Sequence, residues 1–188
     1  MFVLPLLVLA GIVVVALWVM GLYNGMIRLR NQARNGWSQI DVQLKRRHDL
    51  IPNLVETVKG YAAHERGTLD EVVRARSQAV QAQGVQAQAR AESDLTGALG
   101  RLMVVMEQYP TLKADQNFRA LQEELSSTEN RIGFARQAYN DAVMEYNSRI
   151  QGFPANLLAG PFHFQDESFF EIAEPDKAQR DVPQVKFS

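Results

Sequence analysis

The sequence predicts an all-α protein: an N-terminal transmembrane helix, then an antiparallel up-down-up-down helical bundle with long first and fourth helices. Three observations predict this fold class. An uncharged apolar run ends at Arg28, four later segments repeat apolar residues at steps of three and four, and the connections between them are short. We therefore expect a transmembrane anchor at 1–23, a helical bundle at 24–152, and an aromatic, then acidic, largely irregular tail at 153–188.

The anchor is predicted from the first 27 residues, none of which carries a charged side chain. About twenty apolar residues, rising ~1.5 Å each, cross a hydrocarbon layer of roughly 30 Å. A cleaved secretory signal is the main rival interpretation, but it would open with basic residues and have a shorter apolar region. Lipid anchoring lacks support because there is no cysteine and position 2 is Phe. The sequence favours a single-pass membrane protein.

The orientation of the anchor is predicted from its flanks, because Lys and Arg near a span stay on the cytoplasmic side. Arg28, Arg30 and Arg34 all follow the span, and only the α-amino group precedes it. We expect the N-terminus outside and the C-terminal domain in the cytoplasm. The same three arginines are candidates for contact with lipid headgroups.

The overall charge of -1 conceals an uneven distribution. Residues 24–63 hold seven basic and three acidic side chains, and the remainder of the chain is acidic. A basic region next to a span suits an anionic membrane leaflet. A nucleic-acid-binding protein would be expected to show a strongly basic domain, so membrane lipids are predicted as partners and nucleic acid is not.

The first bundle helix is predicted from an apolar stripe, which comprises Ala33, Trp37, Ile40, Leu44, Ile51, Leu54, Val58 and Tyr61. Pro52 interrupts this stripe without changing its phase, so a kink or a short break is expected there. The helix should end between Gly60 and Gly67.

Arg47 occupies the one polar position in the stripe, and three interpretations are open. Its side chain snorkels out of the seam, pairs with an acidic residue of another helix, or marks the place where a second subunit packs. The intramolecular ion pair is favoured.

Local signals predict the ends of the other helices. Thr68 and Glu71 have the spacing of a capping box, which predicts that the second helix begins at Thr68. A turn is expected around Gly84. Pro110 should stop the third helix, and Asp115 should cap the fourth. The stripe of the second helix is predicted to be Leu69, Val72, Val73, Arg76 and Val80, and that of the fourth runs from Phe118 to Ile150 until Gly152 and Pro154 end the helix.

The tail carries five phenylalanines between Phe153 and Phe170 and then becomes acidic. If the fourth helix runs antiparallel to the first, the chain near Phe153 returns to the membrane. The apolar side chains there then contact lipid headgroups, cover the end of the bundle, or bind a neighbouring subunit. These partner or membrane-face candidates are Phe153, Leu157, Leu158, Phe162, Phe164 and, from the first helix, Arg47.

Several sequence motifs resemble those of the LemA family. They include Trp37-Ser38-Gln39-Ile40-Asp41-Val42-Gln43-Leu44, Asp49-Leu50-Ile51-Pro52-Asn53-Leu54-Val55, Glu107-Gln108-Tyr109-Pro110-Thr111-Leu112, Tyr139-Asn140, Tyr146-Asn147 and Phe169-Phe170-Glu171. The resemblance implies a bacterial membrane protein with an N-terminal anchor, an antiparallel helical bundle and no agreed activity. It also links the chain to a protein of magnetosome membranes and to membrane stress proteases, without pointing to particular residues.

The sequence offers no recognisable catalytic, cofactor or metal motif. The three histidines, His48, His64 and His163, do not form an HExxH pattern, and no Gly-rich phosphate loop or glycine elbow is present. His48 beside Asp49 is interpreted as a solvated pair. We expect a non-enzymatic scaffold or adaptor without cofactor in a bacterial cytoplasmic membrane. Its expected partners are membrane lipids and further copies of itself. The alternatives are a regulator of another membrane protein, such as a stress protease, or a lipid-binding, membrane-shaping protein.

Overall fold

The computed structural model describes residues 3–62 and 64–171, which form helices, turns and extended segments without a β-strand. The helices are α1 (Val3–Lys59), α2 (Arg66–Gln81), α3 (Val85–Met106), α4 (Pro110–Ala114), α5 (Gln116–Gln151) and α6 (Asn156–Ala159). The predicted all-α class is confirmed, with a long N-terminal apolar helix and later helices that pack back against it. The short helices α4 and α6 were not predicted.

The N-terminal part of α1 has no protein neighbours. Every residue from 3 to 18 is exposed, although nearly all of them are apolar. Within the described residues α1 is the one helix that is long and apolar enough to cross a membrane. An exposed apolar surface of this length is expected to be covered by lipid, so the helix provides a single membrane anchor.

The described chain divides into two compact units, and each unit contains part of α1 and part of α5. We call residues 3–42 and 132–169 the hairpin unit. We call residues 43–131 and 170–171 the core unit. The predicted segments 1–23, 24–152 and 153–188 follow the order of the chain, whereas these units are defined by packing.

The core unit is a four-helix arrangement around one apolar cluster. Its fully buried members include Ile51, Leu54, Val58, Val72, Leu95, Leu102 and Leu112. Polar contacts give the helix directions, and they join His48 with Arg76, Glu71 with Arg101, Ala79 with Gln88, Arg46 with Glu124, and Tyr61 with Asp115. Residue numbers rise on one helix as they fall on the next, so α2 and α3, and α1 and α5, are antiparallel. The predicted up-down-up-down order is present in this unit.

The hairpin unit packs the other part of α1 against the other part of α5. A Cβ atom at Gly36 would lie 3.2 Å from the Tyr139 Cα, and one at Gly25 would lie 4.0 Å from Arg149 Nη2. The two helices are therefore antiparallel here as well. Gly36 is needed at the close approach, because a side chain there would press on the backbone of α5.

Pro52 does not break α1, which is helical through Lys59. Proline cannot donate to the carbonyl four residues earlier, which leaves the oxygen of His48 without its helical partner. Arg76 Nε donates to this oxygen at 2.7 Å. A guanidinium from α2 thus replaces the missing amide, which explains how the stripe keeps its phase across the proline.

The predicted start of α2 was wrong. The helix begins at Arg66 with Glu65 as its N-cap residue, no side chain caps it, and Thr68 lies inside the helix. The helix starts earlier because the Glu65 carbonyl accepts the Leu69 amide at 3.1 Å, so Thr68 does not adopt the extended conformation that a capping box requires.

Two predicted buried faces also need correction. On α2 the buried residues are Leu69, Val72, Ala75 and Ala79, while Val73 and Val80 are exposed. On α5, the buried face is wider than the predicted stripe, because Val143, the neighbour of the stripe residue Ala142, is also fully buried. The fourth-helix stripe is otherwise confirmed at Phe118, Thr128, Ile132, Tyr139, Ala142, Tyr146 and Ile150.

The α1 helix ends at Lys59, just before the predicted interval from Gly60 to Gly67, and Tyr61 lies exposed beyond it. The remaining helix ends lie close to the predicted residues. Gly84, with φ of 83°, separates α2 from α3. Pro110 lies just beyond α3 and begins α4. Asp115 Oδ1 accepts the Phe118 amide at 2.9 Å, so it caps α5 as expected.

Candidate functional site

Apolar packing in the hairpin unit begins where the exposed run of α1 ends. Met20 is exposed, whereas Leu22 is buried and Met26 is fully buried. A cluster forms at this level from both long helices and the tail, and it comprises Met26, Leu29, Tyr146, Ile150, Ala155 and Phe164. The protein body therefore starts within about 3 Å along the helix axis of the last exposed apolar residue.

The tail is held along α5 by hydrogen bonds to its backbone. The Tyr146 hydroxyl donates to the Gln165 carbonyl at 3.0 Å, and the Tyr139 hydroxyl donates to the Ser168 carbonyl at 2.8 Å. Between them, the Asn147 amide donates to the Glu167 carbonyl and its oxygen accepts the Glu167 amide, each at 2.9 Å. We call these three side chains the tail clamp.

Burial of the clamp changes the acidity of its tyrosines. Burial, with a smaller contribution from the Glu167 carboxylate, raises the pKa of Tyr139 to about 12. Burial is also the main cause that raises the pKa of Tyr146. Both hydroxyls therefore keep their protons near neutral pH and remain able to donate to the tail.

The apolar residues predicted for the membrane face divide into two groups. Phe164 is buried and Leu158 is half-buried against the cluster, so these two cover the end of the hairpin unit. Phe153, Leu157 and Phe162 are exposed. The ring of Phe162 lies 5.0 Å from that of Tyr23, three residues beyond Met20, so it remains at the end of the exposed run.

The three arginines that follow the span have different surroundings. The guanidinium of Arg30 lies 5.1 Å from the centre of the Phe164 ring and holds the tail by a cation–π contact. Arg34 lies about 21 Å along the helix axis from Met20, at ~1.5 Å per residue. Arg28, about 12 Å from Met20 on the same scale, is exposed and faces a cavity.

That cavity has a volume of about 410 Å³ and opens between α1 and α5 in the hairpin unit. It is lined by Gly25, Arg28, Leu29, Glu145, Ser148 and Arg149, and we call it the arginine cavity. Arg149 was not among the predicted site residues, because it lies more than a hundred positions from Arg28 and only the antiparallel pairing brings them to one cavity.

Arg47 lies in a buried ionic cluster of the core unit. Its Nη1 is 3.4 Å from Glu92 Oε2 and 3.2 Å from Glu129 Oε2, and its Nη2 donates to the Thr96 hydroxyl at 2.8 Å. Arg47 is 3% exposed and Glu92 is fully buried. Of the three interpretations of Arg47, the intramolecular ion pair is the one found.

His48 belongs to the same cluster, and its predicted solvated pairing with Asp49 was wrong. Its Nε2 lies 2.7 Å from Glu92 Oε1, and the side chain is buried. A carboxylate only accepts, so Nε2 donates. The His48 side chain therefore points toward Glu92 of α3 rather than toward solvent.

Glu92 is the residue of this cluster that the sequence interpretation missed. It lies three residues after the buried Ala89 and three before the buried Leu95, so a charged residue in phase with the apolar stripe was the available signal. The same signal had marked Arg47. In residues 3–62 and 64–171, no three His, Asp or Glu side chains are arranged to hold a metal ion.

Comparison with known proteins identifies the family. The family model described as LemA matches residues 36–187. The chain belongs to the LemA family. It is similar to the Magnetosome protein MamQ 2 of Paramagnetospirillum magneticum, at 27% identity over 86% of this chain and 67% of the relative. The Magnetosome protein MamQ of Magnetospirillum gryphiswaldense is 26% identical over the same shares. Protein LemA of Metamycoplasma hominis is 25% identical over 88% of this chain and 76% of the relative.

This LemA family member is a membrane-anchored helical protein. The motifs that carried the resemblance have structural roles. Tyr139, Tyr146 and Asn147 form the tail clamp, and Pro110 begins α4. Pro52 leaves the His48 carbonyl without a helical donor, and Arg76 donates to it instead. These residues hold the tail and support the helices on either side of the connections.

Proposed function

We propose that this LemA family protein is a non-enzymatic scaffold or adaptor that associates with copies of itself at the cytoplasmic face of a bacterial membrane. The observation that carries the proposal is the exposure of large apolar side chains on α5 of the hairpin unit. Phe134 is 75% exposed and Met144 is 56% exposed. Exposed apolar side chains of this size on a membrane-anchored protein are candidates for a protein interaction surface.

The direction of these side chains follows from the helix period. Phe134 lies two residues, about 200° around the helix, from the buried Ile132, so it points away from the hairpin core. Met144 follows the buried Val143 and lies beside the exposed Glu145. Anchoring confines the copies to two dimensions and raises their effective concentration. A weak apolar contact is then sufficient for association.

The orientation is part of the proposal. The Arg28, Arg30 and Arg34 side chains all follow the exposed run of α1, and positive charge next to a span is retained on the cytoplasmic side. An orientation with the helical units in the cytoplasm places the basic part of α1 against the anionic leaflet.

Crosslinking in intact membranes and light scattering of the detergent-solubilised chain test self-association. We expect oligomers of the natural chain, and their loss in a variant with Phe134→Ser and Met144→Ser. Val104→Ser is the matched control, because Val104 is 69% exposed but lies on α3 in the core unit. Monomers of the natural chain at all concentrations, together with monomers only in membranes, would refute self-association.

The second candidate is an adaptor that docks on another membrane protein, and the exposed Phe153 and Leu157 favour it. Removal of the whole tail would also remove Phe164 from the hairpin cluster, so point variants separate the two functions better. Phe153→Ser with Leu157→Ser should release a crosslinked partner protein while the homo-oligomer remains. Loss of the homo-oligomer instead would assign these residues to self-association.

A further inference from the structure

We infer that the arginine cavity binds the headgroup of a membrane phospholipid that carries a primary ammonium group beside its phosphate, as phosphoethanolamine lipids do. This inference rests on the anchoring and orientation in the proposed function. It assigns a ligand to a cavity whose charged lining residues form no contact with another charged side chain of the described chain.

The charged groups that line the cavity are available to a ligand. Arg28, Arg149 and Glu145 are all exposed and form no hydrogen bond or ion pair with another described residue. Guanidinium groups bind phosphate oxygens through paired N–H donors. The Ser148 hydroxyl adds a further donor at the same lining.

The cavity lies at the depth of lipid phosphates. Arg149 Nη2 lies next to Gly25, which is about 8 Å along α1 from Met20 at ~1.5 Å per residue. The headgroup region adds roughly 5–7 Å to each side of the hydrocarbon layer. Arg28 lies further along α1, but side chains of a helix lean toward its N-terminus, which turns Arg28 back toward the bilayer. Both guanidinium groups can therefore reach a phosphate at the membrane surface.

Glu145 selects among headgroups. It lies one helical turn before Arg149 on α5, and since α5 approaches the membrane with its C-terminal end, Glu145 lies further from the bilayer than Arg149. In a phosphoethanolamine headgroup a flexible two-carbon linker joins the ammonium to the phosphate, so the ammonium can extend outward toward Glu145. Its N–H groups can donate to the Glu145 carboxylate while the phosphate binds the arginines. An anionic headgroup without an ammonium would leave Glu145 unpaired beside negative charge.

The experiment is a titration of the full chain in detergent, followed by native mass spectrometry, with phosphatidylethanolamine, phosphatidylglycerol or phosphatidylcholine. We expect the natural chain to bind phosphatidylethanolamine several-fold more tightly than the other two. Phosphatidylcholine serves as a test of the ammonium, because its nitrogen carries no hydrogen to donate. Arg149→Gln and Arg28→Gln should each weaken binding of phosphatidylethanolamine about tenfold, the effect of losing a charge-assisted hydrogen bond.

Two further variants separate the contributions. Glu145→Gln should weaken phosphatidylethanolamine but not phosphatidylglycerol, and so remove the preference. Arg131→Gln, an exposed arginine of α5 that does not line the cavity, is the control and should bind as the natural chain does.

Equal binding of the three lipids by the natural chain, or unchanged binding by Arg149→Gln, would overturn the inference. A titration with inorganic phosphate distinguishes the source of the anion, since binding comparable to that of the lipid would indicate a site for free phosphate and overturn the lipid assignment. Crosslinking of the same variants reports self-association separately. A failed lipid titration with intact oligomers refutes this inference alone, and the converse result refutes only the self-association proposal.

Discussion

The two compact units bury polar groups in different ways. The core unit buries charge, because Arg47, His48 and Glu92 form a cluster between helices. The hairpin unit buries neutral donors, because the tyrosines of the tail clamp bond to the backbone of the tail. Buried charges specify which helices face each other, since each charge is costly without its partner. Neutral bonds to a backbone hold a segment in place whatever its side chains are. The core unit should therefore be the more sensitive to loss of a single polar group.

The largest effect is expected from Glu92→Ala. This change leaves the Arg47 and His48 side chains buried without their shared carboxylate, and Glu129 replaces it only in part. We expect a loss of about 3 kcal/mol or more in the free energy of unfolding. Chemical unfolding of the detergent-solubilised full chain, followed by circular dichroism, measures it.

The matched control is Glu124→Ala, which removes a carboxylate paired with Arg46 where both side chains are partly exposed. It should cost about 1 kcal/mol or less. Equal losses in the two variants would contradict the distinction between buried and surface charge on which the comparison of the two units depends.

A smaller effect, confined to the hairpin unit, is expected from Asn147→Ala. The variant loses the two hydrogen bonds to the Glu167 backbone, each worth roughly 0.5–1.5 kcal/mol. Hydrogen exchange should become faster at residues 165–168, because the tail opens more often, while exchange in the core unit stays the same. Asn130→Ala, an exposed position of the same helix, should leave the tail protected. Faster exchange throughout the chain would show that the clamp supports the whole fold.

The smallest effect concerns the response of the core unit to acid. Hydrogen bonds from the Phe118 amide and then from the Tyr61 hydroxyl hold the pKa of Asp115 below its usual range. A lowered pKa in the folded state gives stability that is present above the usual carboxyl pKa and is lost as the pH falls through the lowered value. Asp115→Asn keeps a capping oxygen but cannot titrate, so it should unfold with a weaker dependence on pH in the acid range. An unchanged acid midpoint would show that Asp115 contributes nothing there.

Much of the fold was predictable because it depends on neighbouring residues. The period of the apolar stripes predicted the faces of α1 and α5, and Gly84, Pro110 and Asp115 marked helix ends through local backbone chemistry. The start of α2 was not predictable in this way, because the Thr68–Glu71 spacing indicated a capping box while the helix begins at Arg66, two residues earlier.

The candidate site was less predictable than the fold. The sequence indicated Arg28 and the aromatic tail, but Arg149 joins the arginine cavity only through the antiparallel pairing of α1 with α5. The partners of Arg47 could not be predicted for the same reason. Glu92 lies in phase with its apolar stripe, but that pattern does not indicate which helix its side chain will face.

The sequence by itself determined the anchor, the all-α class and the order of the long helices, because hydropathy and helical period are local properties of the chain. Only the tertiary structure decided which Phe side chains cover the protein and which remain exposed, how Arg76 satisfies the carbonyl that Pro52 leaves unpaired, and where the buried charges find their partners. These outcomes depend on contacts between side chains of helices that are distant in sequence, and no local sequence pattern predicts such contacts.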